Sequence, residues 1–96
     1  MKKTKKMNEL LERMAKIERM DRGKLCKMSG RPHYNHQTWQ DGKNVVCYVR
    51  AVEKEFLEEA IAGYNQFMHL AEQYVDEVIK QTRRERRKAF PSHQIK

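Results

Sequence analysis

Cysteine is scarce in this chain, which has two cysteines among its 96 residues. Two cysteines are too few for the disulfide framework that stabilises many small secreted domains. The sequence also lacks an apolar run of membrane-spanning length, and no uninterrupted apolar segment follows its basic N-terminus as in a signal peptide. These features predict a cytoplasmic protein with reduced thiols and no membrane partner.

Recognisable catalytic motifs are missing as well. The chain has no glycine-rich phosphate loop, and no motif places a general base beside a nucleophile. Cys26, His33, His36 and Cys47 can each bind zinc, but their spacing lacks the closely spaced ligand pairs that are typical of zinc sites. Cys47 is instead expected to be a small core residue. We therefore expect no enzymatic activity, no metal and no other cofactor.

Positive charge, in contrast, is abundant and unevenly placed. The chain has 21 Lys and Arg against 13 Asp and Glu, a net charge of +8. Residues 1–24, 25–50 and 80–96 hold nine, four and seven basic residues, whereas residues 51–79 hold one base and seven acids. This segregation is typical of a protein that binds phosphates through particular parts of its surface. A basic surface that only aids solubility is the alternative.

Helical periodicity marks both ends of the chain. Apolar residues spaced by three and four from Met7 to Met20 predict an amphipathic basic helix within residues 1–22. Residues 51–89 carry a 4-3 apolar repeat beside a second apolar seam, which predicts a long helix with a basic end, followed by a tail at 90–96. An apolar face this wide must be buried by a further element or subunit, so we expect a homodimer with a helical dimer seam.

A β-hairpin is predicted at residues 33–50. Asp41-Gly42 lies between two alternating segments, which is the strongest short-range hairpin signal. A two-residue turn there pairs Gln40 with Lys43 and continues to Tyr34 opposite Val49. With a short strand at Lys24–Met28, residues 23–50 are expected to form a three-stranded antiparallel sheet. The chain as a whole is predicted to be one α+β domain.

Alternation gives this hairpin two chemically different faces. The face expected to close over a core carries Tyr34, His36, Thr38, Val45, Cys47 and Val49. The other face carries His33, Asn35, Gln37, Trp39, Asn44, Val46, Tyr48 and Arg50. A slip of one residue in register would exchange the faces, so the assignment depends on the turn.

The second face suits nucleic acid. Asn and Gln can bond to adenine, Arg can bond to guanine, and Trp and Tyr can stack or contact sugars. Basic residues around the hairpin and in the run Arg83–Lys88 suit phosphates. The predicted nucleic-acid-binding residues are Arg31, Asn35, Gln37, Trp39, Lys43, Asn44, Tyr48, Arg50, Arg83, Arg84, Arg86, Arg87 and Lys88. We expect DNA rather than RNA.

Two alternatives stay open at this point. The polar face could merely be solvated, with Trp39 and Tyr48 as a stabilising diagonal pair. The chain could also be a protein-interaction and oligomerisation module that uses the long helix, with charge only assisting.

Several short motifs resemble those of a known group of proteins. "RGKLCKM", "RPHYNHQTWQDGKNVVCYVR" and "LEEAIAGYNQFMHLAEQYVDEV" are similar to motifs of a small bacterial family of unknown function, often encoded near transposon genes. The resemblance covers about residues 22–79. It implies only a mobile-element setting and no reaction. In that setting, we expect a transposase or recombinase as a partner. A cysteine cluster of many relatives is absent here, so no metal is carried over.

Overall fold

The structure is a computed structural model, which describes residues 3–30 and 33–91. Its elements, in chain order, are helix α1 (Lys5–Ala15), strands β1 (Lys24–Lys27), β2 (Tyr34–Gln40) and β3 (Lys43–Val49), a 3-10 turn (Ala51–Glu53) and helix α2 (Lys54–Ala89). The predicted α+β class is confirmed, with an N-terminal helix, a three-stranded antiparallel sheet and a long C-terminal helix.

The contacts of the chain group it into two compact units. The first unit combines the N-terminal residues up to Lys16 with the chain from Met68 onward, and the second unit is Ile17–Phe67. Helix α2 therefore begins in the second unit and ends in the first.

In the first unit, α1 is capped by Thr4, whose Oγ1 accepts a hydrogen bond of 3.1 Å from the Met7 backbone N–H. Its apolar stripe is buried, at Met7, Leu10 and Met14, and so is Leu70 of α2. These buried side chains form the core of the unit.

Helix α1 is shorter than the periodicity predicts. It ends at Ala15 with Lys16 as its C-cap, so Ile17 and Met20 are not helical. In the second unit, the segment Ile17–Arg22 lies against α2 instead, where the Asp21 backbone N–H donates a hydrogen bond of 3.0 Å to the Ala60 carbonyl oxygen. Ile17 is half-buried and Met20 is exposed there. Periodicity alone cannot distinguish a continued helix from a segment that crosses another helix.

The sheet of the second unit has the strand order β1-β2-β3, with both pairings antiparallel. Strands β1 and β3 are therefore the edges, and β2 is the centre. Within the described ranges, neither helix is long and apolar enough to cross a membrane.

Candidate nucleic-acid interface

The turn of the β2–β3 hairpin sets the geometry of the candidate site. Asp41 and Gly42 have φ angles of 49° and 76°, and positive angles at both positions are typical of a type I′ turn. The pairing runs from Gln40 opposite Lys43 to Tyr34 opposite Val49. The predicted register is confirmed, and the division of the hairpin into two faces follows from it.

One face of the sheet is turned toward the start of α2. Val49 on this face is buried, and Lys54 Nζ lies 5.7 Å from the centroid of the Tyr34 ring. His36 Nε2 lies 2.6 Å from the carbonyl oxygen of Arg22, and since that oxygen can only accept, Nε2 carries the proton.

Cys47 corrects one prediction about this face. It was expected to be a small core residue, but it is exposed. Because β3 is an edge strand, its residues have a neighbouring strand on one side only. Val49, near the start of α2, is the buried residue of β3.

We call the opposite side of the sheet the open face. Its residues are Lys24, Cys26, Asn35, Gln37, Trp39, Asn44, Val46 and Tyr48. Lys24 and Cys26 join it because β1 pairs Lys24 with Gln37 and Cys26 with Asn35. The sequence did not assign these two, since the connection from β1 to β2 has no short turn motif that fixes the register.

Large side chains of the open face are exposed to solvent. Trp39 is 71% exposed, Tyr48 57% and Val46 50%. Asn35 and Gln37 beside them are half-buried. Full burial of a large apolar side chain typically contributes about 1.5–3 kcal/mol. A cluster that forgoes this stabilisation is typical of an interaction surface.

Trp39 and Tyr48 do not form the diagonal pair that would explain them as sheet stabilisers. Trp39 lies opposite Asn44 and Tyr48 opposite Asn35, so they are four residue steps apart. At about 3.3 Å per residue this is roughly 13 Å. A diagonal pair requires an offset of two residues, so Trp39 and Tyr48 are not such a pair, and the alternative that the polar face is merely solvated stays open.

Tyr48 has a different aromatic neighbour. The ring centroids of His33 and Tyr48 are 4.8 Å apart and the rings are tilted by 58°. Such a tilted contact is favourable and limits the orientations of the tyrosine ring. His33 Nδ1 is buried with no hydrogen-bond partner among the described residues. His33, which was not among the predicted binding residues, is therefore part of the candidate interface.

The predicted phosphate-binding residues of the hairpin, Arg31, Lys43 and Arg50, differ in their surroundings. Arg50 Nε lies 3.6 Å from Glu53 Oε1, which also accepts a 3.1 Å hydrogen bond from the Arg50 backbone N–H. This ion pair is exposed, so it costs a ligand about 0–1 kcal/mol to replace it. Lys43 pairs with Gln40, and by the alternation of β3 it lies on the face opposite the open face. Arg31 lies outside the described residues.

The second predicted footprint is the end of α2. Arg83, Arg84, Arg86, Arg87 and Lys88 lie in its final turns and are exposed. Successive residues of a helix are rotated by about 100°, so these five cations point in several directions. The run belongs to the first unit, whereas the open face belongs to the second.

The four candidate zinc ligands are divided between the two faces of the sheet. Cys26 pairs with Asn35 on the open face, whereas His36 pairs with Cys47 on the other. Over the part of the chain that the structure describes, no three His, Cys, Asp or Glu residues come together as a metal site would require. The expectation that the protein has no cofactor stays a prediction.

Comparisons with known proteins add no identity. No protein-family model, no curated protein and no solved structure matches this chain. The resemblance to a transposon-associated family therefore stays a prediction.

Proposed function

We propose that the protein binds nucleic acid through the open face, with duplex DNA as the preferred ligand. The observation that carries the proposal is Trp39, an indole 71% exposed on the same face as Asn35 and Gln37. An exposed aromatic ring beside carboxamides offers both apolar contact and hydrogen bonds to base edges.

The groups of the open face have complementary uses in this proposal. Asn and Gln side chains can make two hydrogen bonds to an adenine edge, and an indole can contact a thymine methyl group or a sugar. Lys24 on β1 and Lys43 at the turn are exposed and provide charge for phosphates, which positions a protein without reading sequence. A two-stranded ribbon fits a major groove about 12 Å wide.

The spacing of the aromatic rings favours duplex DNA over RNA. Trp39 and Tyr48 are roughly 13 Å apart along the strands, at about 3.3 Å per residue, so they cannot sandwich consecutive stacked bases. They would contact separate positions along a groove. The major groove of A-form RNA is too deep and narrow for such a ribbon. Unpaired RNA bases stacked singly on each ring are the subordinate alternative.

The role that follows is accessory and non-catalytic. The sequence has no nucleophile motif, and its resemblance to a transposon-associated group suggests the DNA of a mobile element. In the cytoplasm the protein would position a transposase or recombinase, or repress its own element.

Fluorescence anisotropy with the full chain tests the proposal. Labelled duplex DNA, single-stranded DNA and RNA are titrated at about 150 mM salt, where a Debye length near 8 Å weakens generic attraction. We expect Trp39→Ala to weaken duplex binding about 5- to 150-fold, from about 1–3 kcal/mol per aromatic contact. Val52→Ala is the matched control, because Val52 is 79% exposed but outside the open face. Equal affinity of both variants would contradict the proposal.

A protein-interaction module is the second candidate function. It is favoured by Met68, Val75 and Ile79, which are large apolar residues exposed on α2. In that case duplex DNA would bind weakly and without sequence preference at about 150 mM salt, where surface charges beyond about 8 Å are screened.

A further inference from the structure

The C-terminal part of α2 has two apolar sides in the first unit. One side includes Leu70, which is 1% exposed, and it shares the core with the buried stripe of α1. On the other side, Met68, Val75 and Ile79 are 48%, 46% and 38% exposed. At about 100° per residue, these three lie on the side of the helix opposite Leu70.

These residues belong to a regular stripe, which we call the free stripe. Its members follow one another at alternating spacings of four and three, and are Met68, Glu72, Val75, Ile79, Thr82 and Arg86. At about 100° per residue they fall within an arc of about 80°. A 4-3 spacing over this length is the pattern with which one helix packs along another.

The free stripe differs in phase from the repeat read from the sequence. That repeat placed Ala71 and Val78 beside Val75, but both are half-buried, on the side nearer to Leu70. Glu72, Ile79 and Arg86 take their places in the exposed stripe. The phase matters because it adds one charge of each sign to the stripe.

These charges distinguish between two ways of pairing the stripe with itself. In a parallel pair, Glu72 would face Glu72 of the second copy, and Arg86 would face Arg86, which is repulsive at both ends. In an antiparallel pair with Val75 opposite Ile79, Met68 lies opposite Arg86 and Glu72 opposite Thr82. Glu72 is then offset from Arg86 of the second copy by about one helical turn, roughly 6 Å along the helix axis.

We propose that two copies of this chain pair through the free stripe, with their α2 helices antiparallel. The apolar pairs Val75–Ile79 form the centre, and Glu72 and Arg86 of opposite copies attract each other at the two ends. A two-fold axis makes this surface self-complementary, as symmetric dimers require. The small core of a chain of 96 residues gains further apolar burial from such a partner.

The pairing divides the basic run between two tasks. Arg86 lies on the free stripe, whereas Arg84, Arg87 and Lys88 are rotated away from it by about 100° or more, at about 100° per residue. Arg86 therefore serves self-association, whereas Arg84, Arg87 and Lys88 stay available for phosphates. This inference does not depend on nucleic-acid binding, and its test contains no nucleic acid.

Sedimentation equilibrium of the full chain from about 1 µM to about 1 mM tests the pairing. We expect a monomer–dimer equilibrium. We expect Val75→Ala combined with Ile79→Ala to raise the dimer dissociation constant at least tenfold, since it truncates both members of the central pairs. Because both side chains are exposed in the single chain, circular dichroism should be unchanged.

A charge exchange tests the antiparallel direction. Glu72→Arg or Arg86→Glu alone should raise the dimer dissociation constant roughly two- to fivefold, as expected for an exposed ion pair. Combining the two changes should restore the original value. Arg84→Glu, with the same change in charge but off the stripe, is the matched control and should have a smaller effect than Arg86→Glu.

Three results would overturn the proposal. These are a monomer throughout the concentration range, a dimer insensitive to Val75→Ala with Ile79→Ala, or a charge exchange that fails to restore affinity. None of these results bears on Trp39, so failure here is distinguishable from failure of the proposed nucleic-acid binding.

Discussion

Gly63 is a residue of α2 that the segment Ile17–Arg22 approaches closely. A Cβ atom at this position would overlap the carbonyl oxygen of Arg19 and would lie 3.2 Å from Ile17 Cγ2. In an isolated helix, Ala would be preferred to Gly by about 1 kcal/mol. The glycine is therefore explained by the close approach of a second backbone and not by helix formation.

Gly63→Ala is expected to destabilise the protein by about 1–3 kcal/mol, as overpacking usually does, although it removes a poor helix former. The overlap with the Arg19 backbone must displace the segment that holds the Asp21–Ala60 hydrogen bond. The free energy of unfolding in urea measures the effect. Ala62→Gly, at the exposed neighbouring position, is the control and should cost only the propensity term of about 1 kcal/mol. Stabilisation by Gly63→Ala would contradict this packing.

At this scale the sequence identifies residue types better than it identifies neighbours. The exposure of Trp39 follows from the alternation of the hairpin. The contact between His33 and Tyr48 does not, because His33 lies just before β2 and ring orientation depends on tertiary packing. The ion pair of Arg50 with Glu53 likewise arises from the 3-10 turn, which the sequence does not signal.

Among the elements, the hairpin was predictable and the end of α1 was not. A two-residue Asp-Gly turn determines every pair of β2 and β3, so a local signal is sufficient for the whole ribbon. The apolar residues Ile17 and Met20, in contrast, continue the spacing of α1 but lie beyond its end. Whether such residues extend a helix or cross another one is decided by distant partners, here Ala60 and Gly63 of α2.

The first turn of α1 also has an unusual charge. It contains no acidic residue, and Lys5 and Lys6 lie there although a helix N-terminus favours negative charge. Cations at this end cost about 0.3–1 kcal/mol. Lys6 also lines a groove with Asp76 and Glu77, which offsets its cost. Lys5 is therefore a residue whose charge is better explained by a ligand than by stability.

Lys5→Glu should raise the free energy of unfolding by about 0.3–1 kcal/mol, because the carboxylate interacts favourably with the helix N-terminus. The same change should weaken the binding of duplex DNA, since it removes a cation near phosphates. Urea unfolding and anisotropy titration of one preparation measure both effects. Lys3→Glu, before the Thr4 cap, is the control that changes charge outside the helix. If Lys5→Glu leaves DNA affinity unchanged, Lys5 does not contact phosphates.

For the whole molecule, the two units carry different parts of the proposed function. The open face, in the second unit, offers amide and aromatic groups that can read bases. The exposed cations at the end of α2, in the first unit, offer charge without sequence information. Each part should therefore affect a different property of binding, and the two can be altered independently.

The salt dependence of DNA affinity separates these contributions. Replacing Arg84, Arg87 and Lys88 by Ala, while keeping Arg86 for self-pairing, should reduce the slope of log affinity against log salt concentration by up to about 2.7. This value corresponds to about 0.9 for each of three lost phosphate contacts, and the loss should be equal for all duplex sequences.

Gln37→Ala carries no change in charge and should leave the slope unchanged. It should instead reduce the preference for the target sequence over a scrambled one by about 1–3 kcal/mol. A slope that is unaltered by the triple replacement would show that the basic run does not contact phosphates, whereas an unaltered sequence preference in Gln37→Ala would remove the hairpin from base reading.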